Sequence, residues 1–211
     1  MDASPLNLLR RFATPRTTHL VAPDRCELCR AVIPASHRHL LEMASRRAVC
    51  ACDPCALRFE GVIGGRFKLI PRDPRVLPGF RLSDAQWANL AIPIGVAFFF
   101  FSTPEGKMTA MYPSPAGATE SLLPLTAWEE LVSENPQLGR MEPDTEALLV
   151  NRLGSSPSQY IVPIDACYEL AGLIRLHWRG LSGGDAVWQE IDRFFARLAR
   201  QAGGLQEGVR A

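Results

Sequence analysis

Residues 26–55 read CELCRAVIPASHRHLLEMASRRAVCACDPC and hold five of the six cysteines in the chain. Two Cys-x-x-Cys pairs, Cys26/Cys29 and Cys52/Cys55, lie at its ends with 22 residues between them. Cysteines at this spacing can direct both thiolates of one turn at a single ion, and two such pairs complete a tetrahedral shell. The pattern therefore predicts a four-thiolate metal site made by Cys26, Cys29, Cys52 and Cys55.

Three further side chains in the same stretch are potential ligands: His37, His39 and Cys50. We treat Cys50 and His39 as reserve ligands behind the four matched cysteines. Cys50 is more simply a small buried residue at the end of a strand. The two histidines are more simply a polar pair beside a hairpin strand, with one ring at most hydrogen-bonded to a ligand.

The metal predicted for this site is zinc, with a single iron ion as the alternative, because four thiolates in two knuckles hold either. Rubredoxin-like iron knuckles normally continue with glycine after the second cysteine, and small residues there let backbone amides approach the sulfur. Arg30 and Ala56 occupy those positions here. This departure favours zinc, and it predicts that the amides stay away from the sulfurs.

The residues between and after the knuckles predict a hairpin followed by a helix. Residues 39–42 and 47–50 are typical of strands, with a turn at 43–46. Asp53 and Pro54 are typical of the N-cap and first position of a helix. Knuckle, hairpin and helix in this order predict a treble-clef-like or zinc-ribbon-like finger. Its core is thin, so we expect that replacing Cys52 by Ser unfolds residues 24–60 and leaves the rest folded.

The rest of the chain predicts a second, larger unit of the α+β class. Pro71, Pro74 and Pro78 with Gly79 mark a linker. The predicted segments are an N-terminal extension at 1–23, a Cys-rich metal-binding finger at 24–71, an α+β domain at 80–202 and a flexible tail at 203–211.

Within the larger unit, hydropathy patterns predict antiparallel strands covered by C-terminal helices. The predicted strands are 94–102, 107–112, 146–152 and 159–164. The predicted helices begin at Ser83, Thr126, Asp165 and Asp185, and that from Asp165 ends at Gly180. Residues 112–121 are mostly small residues and prolines, and they predict a loop.

Composition and charge exclude several classes of protein. The 211 residues are 47% hydrophobic and 21% charged, which excludes a disordered chain. The longest apolar run, 91–101, contains Pro93 and Gly95 and is shorter than the roughly 20 residues of a membrane helix. The N-terminus lacks the pattern of an export signal. We therefore expect a cytoplasmic protein without a membrane segment, where reduced thiols favour metal over disulfides.

Charge is unevenly divided along the chain. Residues 1–80 contain 13 basic and 7 acidic side chains, while residues 81–211 contain 10 and 15. Four thiolates with a bound dication carry net negative charge and so reduce the basic excess of residues 1–80. These residues also lack a set of aromatic side chains on which bases could stack. Both points argue against nucleic acid as a partner. The distribution fits a protein partner with acidic side chains, or two parts of the chain that complement each other's charge across their own interface.

Several phrases of the sequence resemble one bacterial family. They are CELC at 26–29, HRHLL at 37–41, CACDPCAL at 50–57, IPIGVAFF at 92–99, YPSPAGATES at 112–121 and WRGLSGG at 178–184. The family is uncharacterised, mainly actinobacterial, and encoded beside genes for uptake nickel–iron hydrogenases. The resemblance covers residues from about 24 to 200. It implies work around such a hydrogenase, with one of its subunits as the partner.

No catalytic constellation accompanies these motifs, since Gly-x-Ser-x-Gly is absent and no histidine lies near Glu120 or Ser121. We expect a non-catalytic accessory protein with a structural zinc site, acting in assembly or maturation of a nickel–iron hydrogenase. The alternative is a rubredoxin-like iron protein for electron transfer or oxygen protection in the same system.

Overall fold

The computed structural model describes residues 24–60, 65–122, 124–153, 157–180 and 183–208. The predicted extension at 1–23 lies outside them, as do residues 209–211 of the predicted tail. The strands are β1 Arg38–Glu42, β2 Arg47–Ala51, β3 Phe67–Leu69, β4 Arg75–Val76, β5 Val96–Ser102, β6 Lys107–Ser114, β7 Gly117–Ser121, β8 Glu146–Asn151 and β9 Ser158–Pro163. The helices are α1 Asp53–Phe59, α2 Asp84–Asn89, α3 Leu125–Glu134, α4 Ile164–His177 and α5 Asp185–Gly208, with a 3₁₀ turn at Pro136–Arg140.

The strands form two antiparallel sheets. The smaller has the order β2-β1-β3 and the larger the order β4-β9-β8-β5-β6-β7. The predicted α+β class with antiparallel sheets and C-terminal helices is confirmed. Within the described ranges, none of the helices combines the length and the apolar character needed to cross a bilayer.

The hairpin of β1 and β2 presents apolar side chains on both of its faces, because successive strand residues point to opposite sides. On one face, Leu40 and Val49 form a small finger core together with α1 and β3. On the other face, Leu41 joins the core of the larger sheet and Ala48 packs against it. The finger is therefore packed against the larger sheet and its helices, which we call the body of the protein.

The larger sheet is buried on both faces, which explains the apolar run in β5. Phe98 and Phe100 face α4 and α5, whereas Ala97 and Phe99 face α3 and the 3₁₀ turn. Phe99 stacks on Trp128 of α3 with ring centroids 5.5 Å apart. This rigid layer is the support on which the finger lies.

The structure differs from the predicted loop at 112–121. Strand β6 continues to Ser114, and Gly117–Ser121 forms β7, which pairs with β6 at the sheet edge. Pro113 argued against a strand in the sequence, because proline has no N–H to donate to a strand partner. It lies beyond the part of β6 that pairs with β5, so no bond is lost on that side.

Helix boundaries differ from prediction in ways that affect the site. The N-cap of α1 is Cys52, with Asp53 at the first helical position, where its carboxylate accepts a hydrogen bond from Arg38 Nε at 3.1 Å. Helix α4 ends at His177 instead of Gly180, because its cap residue Trp178 is extended. Helix α5 continues through Gly203, where the tail was predicted to begin.

The finger and the body are also joined by polar contacts. Lys68 of β3 forms an ion pair with Asp144, which is completely buried. Both carboxylate oxygens of Asp144 also accept hydrogen bonds from Thr103, at 2.8 Å each. Arg46 in the hairpin turn lies over the ring of Phe100 at 4.2 Å.

Candidate metal centre

The four cysteines of the two Cys-x-x-Cys pairs come together in space. Their sulfur atoms all lie within 4.8 Å of one another, and the sulfurs of Cys29 and Cys52 are 3.6 Å apart. Sulfurs around a tetrahedral zinc ion are separated by about 3.8 Å, as follows from Zn–S bonds of about 2.3 Å. All six cysteines of the chain are free thiols in the structure. Cys26, Cys29, Cys52 and Cys55 therefore lie within metal-binding distance of one another.

Glu27 fixes the first knuckle against β2. Its backbone N–H donates to the carbonyl of Cys50 at 2.9 Å, and its Oε1 accepts from the N–H of Cys50 at 2.9 Å. Its Oε2 accepts from Arg47 at 2.5 Å, and this bond is the main cause of the lowered pKa of Glu27. The side chain thus pairs with the outer edge of β2, where the described ranges contain no further strand.

The backbone of the first knuckle departs from the prediction. Arg30 adopts a left-handed conformation with φ of 67°, and its N–H donates to the carbonyl of Cys26 at 2.8 Å. The amides of Leu28, Cys29 and Cys52 donate to the sulfur of Cys26. The prediction that amides stay away from the sulfurs is therefore wrong for this knuckle. An arginine takes the conformation that usually requires glycine.

The electrostatics of the cluster depend on its cation. Burial raises the pKa of Cys26, but the three amide donors outweigh it and lower the pKa to about 6. Burial and the neighbouring sulfurs raise the pKa of Cys55 to about 12. Without a cation, the first thiolate forms easily and opposes ionisation of the last. A bound dication removes this opposition, because the sulfurs then share its charge.

The second knuckle lies at the start of α1. Cys52 is the N-cap and Cys55 is in the first turn, where the free amides and the helix dipole favour negative charge. Pro54, also in this turn, has no N–H that would need a partner. The helix start therefore provides two ligands and part of the field that stabilises them.

The reserve ligands lie in a separate group. Cys50 alternates with Val49 and Ala51, which face the finger core, so its side chain points to the opposite side of the hairpin. There its sulfur and the ring nitrogens of His37 and His39 lie within 4.8 Å of one another. Neither Cys50 nor His39 belongs to the four-cysteine cluster.

Asp165 is a residue of this second group that sequence reasoning missed. It was predicted to cap α4, but the N-cap is Pro163, and Asp165 Oδ2 lies 2.5 Å from His39 Nδ1. This hydrogen bond is the main cause of the raised pKa of His39. A pairing 126 positions apart leaves no local signal in the sequence.

The fold and this centre define a class: a mixed α+β protein that carries a cluster of four cysteines beside a small antiparallel sheet. Residues 25–202 match the sequence profile of a family of unknown function, DUF5947, and the chain belongs to this family. Searches among curated proteins and among solved structures found no match. The match agrees with the predicted membership of an uncharacterised family. The actinobacterial origin and the hydrogenase gene setting stay predictions.

Proposed function

We propose that the four cysteines hold a structural zinc ion in a treble-clef-like finger, and that the protein is a non-catalytic accessory protein. The observation that carries this proposal is the cluster of four sulfurs within 4.8 Å, with the buried Cys26 accepting three amide hydrogen bonds. Four thiolates complete the preferred shell of zinc and leave no position for a substrate. Such a shell is typical of a structural role.

A structural role also agrees with the small size of the finger core. Among the described residues, five are buried in it: Leu40, Val49, Ala51, Ala56 and Phe67. A core of this size stabilises a fold weakly, so metal binding supplies a large part of the free energy of folding of the two knuckles. The ion would hold the first knuckle, the hairpin and α1 in one arrangement.

The proposed setting is the assembly or maturation of a nickel–iron hydrogenase in the cytoplasm. Its support is the sequence resemblance, together with the 13 basic side chains that outnumber 7 acidic ones in residues 1–80. Such an excess speeds the encounter with an acidic partner surface. The proposed partner is an immature hydrogenase subunit. Binding of the purified subunit to this protein, measured by calorimetry, tests this part, and absence of binding contradicts it.

A second candidate is a rubredoxin-like iron site for electron transfer or oxygen protection. The observation that favours it is the set of amide hydrogen bonds to Cys26. Hydrogen bonds to the sulfurs adjust the reduction potential of an iron–thiolate centre. Such a protein would be coloured and would change reversibly by one electron.

Metal analysis with a visible spectrum separates the two candidates. Untagged protein purified without oxygen is expected to contain zinc and to be colourless. Cys29→Ser, at the exposed ligand, should lose one equivalent of zinc. Cys167→Ala is the matched control, because Cys167 lies in α4, is buried in the core of the body and belongs to neither ligand group. Iron with thiolate charge-transfer bands would establish the second candidate, and an unchanged metal content in Cys29→Ser would contradict both.

A further inference from the structure

The hairpin carries a second group of ligand atoms on the face that points away from the finger core. His39 lies directly opposite Cys50 in the β1–β2 register, and His37, just before β1, contacts His39 with ring centroids 4.8 Å apart. Directly opposite residues place their side chains in contact. The register therefore brings two imidazoles and one thiol to one place, within 4.8 Å of one another.

Hydrogen bonds fix the tautomers of both rings. His39 Nδ1 lies 2.5 Å from a carboxylate oxygen of Asp165, and His37 Nδ1 lies 2.9 Å from the carbonyl of Pro34. Both partners only accept, so both Nδ1 atoms carry a proton. In neutral rings, each Nε2 is then left with a lone pair. These two Nε2 atoms face each other at 3.1 Å, a separation at which two lone pairs repel unless a proton or a metal ion lies between them.

We propose that a divalent transition metal ion of the zinc class binds to His37 Nε2, His39 Nε2 and Cys50 Sγ. Nitrogens of a tetrahedral zinc site lie about 3.3 Å apart, given Zn–N bonds of about 2.0 Å, and the observed separation is close to this value. Two imidazoles and one thiolate form a ligand set of borderline softness, which suits zinc better than magnesium or calcium.

The surroundings of the histidines are those of a metal site with an open position. Asp165 and His39 form the carboxylate–histidine arrangement that orients a ring and raises its basicity toward a metal. Three protein ligands leave a fourth position for water or another small donor, as in zinc sites that exchange ligands. This site therefore differs in kind from the closed four-cysteine shell.

An ion can reach this group from solvent. The side chain of His39 is 33% exposed, and both histidines line a cavity of about 930 Å³. Asp165 and Glu169 of α4 contribute to the wall, as does Arg72 from the linker. Because Asp165 belongs to the body, a metal bound here would also strengthen the attachment of the finger.

Zinc stoichiometry tests the proposal. Untagged protein is saturated with zinc, desalted and analysed by mass spectrometry, with circular dichroism to confirm folding. We expect two zinc ions per chain in the wild type and one in His39→Ala and in Cys50→Ser. His177→Ala is the matched histidine control and should keep two. Asp165→Asn should keep both ions but bind the second at least tenfold more weakly in competition with a chelating dye.

The outcomes separate this site from the four-cysteine site. One zinc ion in the wild type, kept by His39→Ala and lost by Cys29→Ser, would overturn the second site. The two histidine rings would then be joined by a shared proton alone. Two zinc ions that persist in both His39→Ala and Cys50→Ser would also overturn it. One zinc lost by His39→Ala but kept by Cys29→Ser would instead overturn the proposed function.

Discussion

Arg30 is the residue whose conformation matters most to the first knuckle. A non-glycine residue in the left-handed region costs about 1 kcal/mol, and Arg30 adopts this conformation while its N–H donates to the carbonyl of Cys26 and closes the knuckle. The sequence gives the identity of residue 30 but not its backbone angle. The conclusion drawn from the missing glycine was wrong because the knuckle geometry overrides the residue preference.

Replacing Arg30 by Gly should therefore stabilise the metal-loaded protein by about 0.5–1 kcal/mol, since glycine adopts this conformation without steric cost. Urea unfolding monitored by circular dichroism measures the change. Arg58→Gly in α1 is the control and should destabilise by about 1 kcal/mol, because it is in a regular helix. A destabilised Arg30→Gly variant would show that the side chain matters more than the backbone.

Asp144 is the second residue with a strong expected effect. Its buried carboxylate accepts from Thr103 and pairs with Lys68 of the finger. Asp144→Asn should lower the free energy of unfolding by about 2–4 kcal/mol, because the fully buried carboxylate becomes a neutral amide that no longer balances the charge of Lys68. Glu105→Gln, in an exposed pair with Lys107, should change it by less than about 0.5 kcal/mol. Equal effects in the two variants would contradict this account of the junction.

At the scale of elements, the β1–β2 hairpin was the most predictable part of the fold. Alternation of side chains and the turn at 43–46 predicted both strands, and the structure confirms them. The same register already places His39 opposite Cys50, so the second ligand group had a signal that could have been read. Strand β7 had none, because proline and small residues on either side of the turn are equally typical of a loop.

Two adjacent leucines of β1 allow a matched comparison of the hairpin faces. Leu40 and Leu41 are both fully buried, but Leu40 lies in the finger core and Leu41 in the core of the body. Leu41→Ala should lower the global free energy of unfolding by about 2–5 kcal/mol. Leu40→Ala should reduce amide protection in α1 and β2 while β5 and β8 keep theirs, as measured by hydrogen exchange. Identical exchange patterns in the two variants would contradict separate cores.

At the scale of the whole molecule, the finger and the body are in contact, although the prolines between them predicted a linker. Residues 72–79 were predicted as a linker, yet Arg75–Val76 forms β4 at the edge of the larger sheet, and Leu77 is buried. Such contacts depend on residues far apart in the chain, so composition alone did not indicate them. The unit most dependent on metal is therefore smaller than residues 24–60.

Metal removal should accordingly unfold the knuckles and spare the hairpin. A chelator is expected to abolish amide protection in residues 26–31 and in α1, where the ligands lie. Strand β1 should remain protected, because Leu41 still packs in the body. Hydrogen exchange with mass spectrometry resolves these segments. Loss of protection in β5 and β8 at the same rate would show that finger and body form one cooperative unit.

The central claim is that four thiolates enclose one zinc ion, and X-ray absorption at the zinc edge tests it most directly. The measurement is made on Cys50→Ser, which leaves only this site available for zinc. We predict four sulfur scatterers at about 2.3 Å and no lighter atom in the shell. Nitrogen or oxygen scatterers at about 2.0 Å, or fewer than four sulfurs, would contradict the account.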